Sequence, residues 1–172
     1  MKQPNHPTGA ALGHQPFFRG LLWLQLDSLA AVAACAEFPA GETIFREGEE
    51  ANRFYLLLSG RVMLEAAAAE RQVQIQVLAA GEVLGWSWLF PPYRWHFSAR
   101  ALKPVRAYFF HGPMLRERFE GDPALGYAVM QRISALMLER LEATRLRLAV
   151  GERAAAGETI QLASLAPARG TS

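Results

Sequence analysis

Residues Gly41–Gly60 read GETIFREGEEANRFYLLLSG. The apolar pair Ile44 and Phe45 precedes a charged turn centred on Gly48. Four bulky apolar residues, Phe54, Tyr55, Leu56 and Leu57, then run into a Ser59-Gly60 turn. Short apolar runs broken by glycines are the pattern of short strands joined by tight turns, because glycine takes left-handed backbone at no steric cost. The same punctuation extends outward, with Gly41, Gly48, Gly60, Gly81 and Gly85 dividing residues 38–110 at turn spacing. Gln72-Val73-Gln74-Ile75-Gln76-Val77 alternates strictly, which predicts a strand with Val73, Ile75 and Val77 facing the core. It pairs with Arg61–Glu65 through the Ala66–Arg71 connection. The fold class expected is α+β, mainly β: a small antiparallel barrel or jelly roll.

Helical patterns flank the strands. From Phe17 to Glu37, Leu22, Leu26, Leu29 and Val32 or Ala33 recur at three- and four-residue steps, with Asp27 or Ser28 as a cap for a second helical piece. Cys35 falls among alanines there and reads as a buried, inert thiol. Asp122-Pro123 opens a long C-terminal helix, Asp122 as N-cap and Pro123 in the first turn. Its apolar seam is Val129, Ile133, Leu136 or Met137, Leu141 and Leu148, and it runs to about Val150. Such a helix spans roughly 40 Å, more than a small barrel needs for cover. A coiled-coil-like homodimer is the economical partner for the excess. Residues 1–16, with three prolines and two glycines, read as a flexible arm, residues 17–150 as the domain and residues 151–172 as an Ala/Gly-rich tail. A short element is expected over Thr159–Leu165.

Composition sets the outer bounds. At 172 residues with 51% apolar content the chain makes one domain with a real core. No uninterrupted apolar window and no apolar leader core is seen, and the single cysteine precludes an internal disulfide, so a cytoplasmic protein that crosses no membrane is expected. The net charge of +2 is too small to argue for nucleic acid. Residues 1–50 carry −3 and residues 100–153 carry +4, with acids interleaved as on a solvated helix face. His6, His14, His96 and His111 lack metal spacing, and no nucleophile elbow, Cys-x-x-Cys or Gly-Lys-Ser/Thr loop is present. A non-enzymatic role follows as the expectation.

The Gly41–Gly60 stretch resembles the first signature of the cyclic-nucleotide-binding domain family, the effector module of catabolite-activator/FNR-type regulators. The resemblance implies a nucleotide pocket in the barrel, with the phosphate at the start of a short helix between two strands. There, free N–H groups and the helix dipole attract an anion. The family's cassette runs Gly-Glu, a small residue, an apolar residue, a loop, then Arg-Ser/Thr-Ala. Its glutamate accepts from the ribose and its arginine pairs with the phosphate. The matching stretch here runs from Gly81 to Ala101, with Gly85 beginning the turn and Ser98-Ala99-Arg100-Ala101 the following strand. Trp86 stands in the glutamate's place, and indole is a donor only. Counting back from Ala101 without a gap, Trp95 falls on the arginine position, and a one-residue shift at Pro91-Pro92 would bring Arg94 there instead. The long helix resembles the catabolite activator's dimer helix over Arg132–Arg145, which makes Thr144 a candidate ligand contact.

The candidate ligand-binding residues are therefore Gly85, Trp86, Ser87, Trp88, Arg94, Ser98 and Thr144. The ligand expected is a cyclic nucleotide, cAMP or cGMP, or another small molecule taken by an aromatic wall of Trp86, Trp88, Tyr93 and Trp95. The alternative is an interaction module whose pocket those same rings occlude, or an effector fragment of a transcription regulator. The 22 residues after Val150 leave no room for a helix-turn-helix domain, so DNA binding by this chain alone is not expected. A sensor acting on a downstream protein partner is the functional expectation.

Overall fold

The computed structural model of the chain describes residues 6–68 and 71–155. Helix α1 (Gly9–Gly13), a 3-10 turn (Pro16–Phe18) and helix α2 (Trp23–Ala30) lead into strands β1 (Ala33–Phe38), β2 (Thr43–Phe45), β3 (Arg53–Ala68), β4 (Arg71–Ala79) and β5 (Val83–Leu84). A second 3-10 turn (Trp86–Leu89), strand β6 (Ser98–His111) and helices α3 (Gly112–Gly121) and α4 (Pro123–Ala155) follow. All strand pairings are antiparallel, in the order β1-β6-β3-β4, with β2 on β6 and β5 on β3. The expected α+β jelly roll with flanking helices is thus the observed fold.

The two faces of β3 build two cores. Tyr55 and Leu57 join Phe45, Val62, Leu64, Leu78, Leu84 and Trp95 in the barrel interior. Phe54, one residue before Tyr55, points the opposite way, because successive side chains of a strand alternate. Its ring packs with Phe17, Phe110 and Trp88 at centroid separations of 5.5, 5.8 and 6.3 Å. Burying a ring of this size stabilises by about 1.5–3 kcal/mol, so this second cluster is what holds the N-terminal turn to the sheet. Gly60 has φ +92°, and a Cβ there would collide with the Pro104 carbonyl, so the Ser59-Gly60 turn admits glycine alone.

Three expectations change. The helix predicted over Phe17–Glu37 is α2 alone, and Asp27 lies inside it rather than at a cap. Cys35 lies on β1, opposite Tyr108 of β6. Alanine-rich sequence favours helix locally, but long-range pairing with β6 decides the matter. The expected arm also differs. Residues 1–5 lie outside the described residues, but α1 follows, capped by Thr8 Oγ1 accepting from Ala11 N–H at 3.2 Å, with Leu12 fully buried. Finally, Val73, Ile75 and Val77 are exposed, at 42, 37 and 41%. Leu78 is fully buried opposite Val62, so Val77 beside it turns outward, while the register shifts between Leu64 and Glu65 and residues 72–75 beyond it are exposed on both parities.

At α4, Asp122 Oδ1 accepts from Leu125 N–H at 3.0 Å, the cap its sequence predicts. The described residues fall into two compact units, one up to Arg132 and one from Ile133 onward. In the second unit α4 continues to Ala155, with Leu138, Leu141 and Leu146 exposed. The tail from residue 156, including the element expected over Thr159–Leu165, lies outside the described residues.

Candidate functional site

The stretch from Gly85 to Arg100 carries most of the predicted contacts. Gly85 has φ +84°, and a Cβ there would lie 2.9 Å from the Trp95 ring, so glycine is required twice over. In the 3-10 turn that follows, Trp86 is half-buried and Ser87 is buried. Ser87 Oγ lies 3.0 Å from His96 Nδ1. Trp88 is fully buried, but on the helix side of β3, against Phe54 and Phe119. Arg116 fixes this end of the turn: its Nη1 donates to the Trp88 carbonyl at 2.6 Å and its guanidinium lies 4.3 Å from the Tyr93 ring centroid.

The loop then returns as an extended segment. Ala51 N–H donates to the Tyr93 carbonyl at 2.7 Å, Trp95 N–H to Glu49 at 2.9 Å and Gly48 N–H to Trp95 at 2.9 Å. Arg94 sits opposite Glu50 in this short ladder. Alternation along it sends Trp95 inward and Arg94 outward. Trp95 is 5% exposed and stacks on Phe45, with centroids 3.9 Å apart and planes 15° apart. Arg94 is exposed, and its Nη1 donates to the Gly48 carbonyl at 2.7 Å. The Glu49–Ala51 backbone bonds thus fix the register in which Arg94 faces away from the buried barrel core.

The remaining candidates stand elsewhere. Ser98 Oγ accepts from Glu47 N–H at 3.0 Å. Thr144, in the second unit, donates to the Arg140 carbonyl at 2.8 Å, four residues back on its own helix. Gly85, Trp86, Ser87 and Trp88 are neighbours in sequence, but Gly85 lies against the Trp95 ring whereas the Trp88 ring packs on Phe54 and Phe119. Trp95, expected in the aromatic wall, is the ring that enters the barrel core.

A cavity of about 600 Å³ includes Ser98 in its lining, along with Thr43, Arg46, Glu47, Glu65 and Arg100. Arg100 Nη2 donates to Glu65 Oε1 at 2.5 Å, and this bond raises the guanidinium's already high pKa. In the barrel, burial raises the Tyr55 phenol above its ordinary value, opposed in part by Arg53. Among the described residues no cluster of three or more His, Cys, Asp or Glu side chains is placed to hold a metal, and no helix is long and apolar enough to cross a membrane.

The family model of the cyclic nucleotide-binding domain matches residues 35–122. The chain is 25% identical over 139 residues to the CRP-like cAMP-activated global transcriptional regulator of Mycobacterium tuberculosis, covering 80% of this chain and 60% of that protein's length. It is 36% identical to a putative cyclic nucleotide-binding protein from Geobacter metallireducens, whose crystal structure superposes with a TM-score of 0.71 over 78% of this chain and 98% of that one. A cyclic nucleotide-binding domain from Methylobacillus flagellatus shares the fold at 18% identity, with a TM-score of 0.69 over 86% of this chain and 79% of that one. The chain belongs to the cyclic nucleotide-binding domain family.

Proposed function

We propose, from the premise of that family membership, that this chain is a regulatory module whose barrel is filled by its own Trp95 instead of a cyclic nucleotide. The observation that carries this reading is the Trp95–Phe45 stack, 3.9 Å between centroids, within the buried barrel core. Two further features support it. Trp86 cannot accept a hydrogen bond from a ribose hydroxyl. Arg94, the nearest guanidinium in sequence, is exposed and bonded to Gly48. In this reading Gly85, Trp86, Ser87 and Trp88 frame the turn, and the module signals through contact with a partner protein rather than by catalysis. A homodimer through residues 124–150, in the cytoplasm, completes the proposal.

Calorimetric titration with cyclic AMP and cyclic GMP tests it. The expected result is no saturable heat up to about 1 mM nucleotide, a dissociation constant weaker than about 1 mM. Saturable binding at micromolar levels overturns the filled barrel.

A further inference from the structure

The polar cavity beside Ser98 lies on the other side of the sheet from Trp95. Ala99 and Ala101 are buried in the barrel core, so Ser98 and Arg100, alternating with them on β6, face outward. A register irregularity between Thr43 and Phe45 lets Thr43 pair with Arg100 while Phe45 pairs with Ala99. Thr43 therefore joins the outer face as Phe45 enters the core.

The charges lining this cavity are unequally committed. Glu65 is held by Arg100. Glu47 Oε2 accepts from Ala67 N–H at 2.8 Å. The Arg46 guanidinium, by contrast, makes no hydrogen bond or ion pair among the described residues, and it is exposed to the cavity. Ser98 Oγ already accepts from Glu47 N–H, so its own proton is available to donate. The uncommitted groups are thus a cation and a hydroxyl donor, in a space of about 600 Å³, large enough for a small metabolite. We infer that this outer cavity binds a small oxyanion, the shared chemistry of phosphate- and carboxylate-bearing ligands, with Arg46 as counter-ion and Ser98 as donor. This site is independent of whether the barrel takes a nucleotide.

The test is a titration of the isotopically labelled chain with inorganic phosphate, and separately with acetate, at constant pH and ionic strength. The amide signals of Gly48 and Ala67 are followed. Saturable shifts with either anion are expected, and which of the two saturates identifies the ligand's chemistry. Arg46→Ala should weaken binding at least tenfold, and Arg145→Ala, on the second unit, should leave it unchanged. Glu65→Gln frees Arg100 from its partner and should tighten binding several-fold. Shifts that rise linearly without saturating, or that survive Arg46→Ala, overturn the site. So does an equal loss from Arg145→Ala.

Discussion

At the scale of single residues, Trp95 and Tyr55 carry the barrel's energetics. Trp95 contributes a large apolar ring to an interior where Phe45 and Gly85 already touch it. Truncating a buried aromatic removes its transfer free energy and leaves a cavity, so Trp95→Ala is expected to destabilise by about 3–5 kcal/mol. Urea denaturation reads this as a lower midpoint at unchanged slope. A loss below about 1 kcal/mol would show that the ring is not a packed core element. Tyr55 gives a pH signature. Burial raises its folded pKa above the unfolded value of 10.0. Between those two values the unfolded chain has released a proton that the folded chain retains, so stability present below pH 10 falls as pH rises through the folded pKa. Thermal melts above pH 10 should show a loss that Tyr55→Phe reduces, and equal slopes in the two proteins would remove Tyr55 as its source.

At the scale of elements, strand parity decides which readings of the sequence succeed. The glycine-punctuated run Gly41–Gly60 was legible because its turns need left-handed backbone, as at Gly48 and Gly60. The cap at Asp122 was legible for a similarly local reason. Two features were not. Ala33–Phe38 has no local strand signal and is a strand because β6 pairs with it. The alternation in β4 correctly announced a strand, but Val77 turns outward because Leu78 beside it is buried, and a register shift then separates Val73 from that parity. Arg94 and Trp95 repeat the lesson at the site: the residue types were visible, and their directions came from bonds to Glu49 and Ala51, more than forty positions away. A pair of substitutions in β4 follows. Val73→Thr and Val77→Thr should each cost less than about 0.5 kcal/mol, as surface changes do. Leu78→Ala should cost about 2–5 kcal/mol. Large losses at Val73 and Val77 with a small one at Leu78, measured by denaturant midpoints, would place β4 in the opposite parity.

At the scale of the whole molecule, the question is what the second unit's helix does. The apolar seam read from the sequence divides in the structure: Val129 and Ile133 are buried, whereas Met137 and Leu141 are 37 and 57% exposed. Met137, Leu141, Thr144 and Leu148 follow one another at steps of four, three and four residues, the spacing of a coiled-coil seam. Thr144 is then a polar seam position, its hydroxyl turned back to the Arg140 carbonyl. A polar residue within such a seam sets register at some cost in stability. If two copies pair through this face, the protein should sediment at twice its 19.0 kDa chain mass. Leu141→Glu places like charges opposite each other in the seam and should shift the sedimentation to 19.0 kDa while leaving the circular dichroism of the barrel intact. Thr144→Leu should tighten the dimer, since it replaces the polar step with an apolar one. A wild-type chain that sediments as a monomer at about 100 µM, where a micromolar dimer is largely formed, rules out pairing through this face.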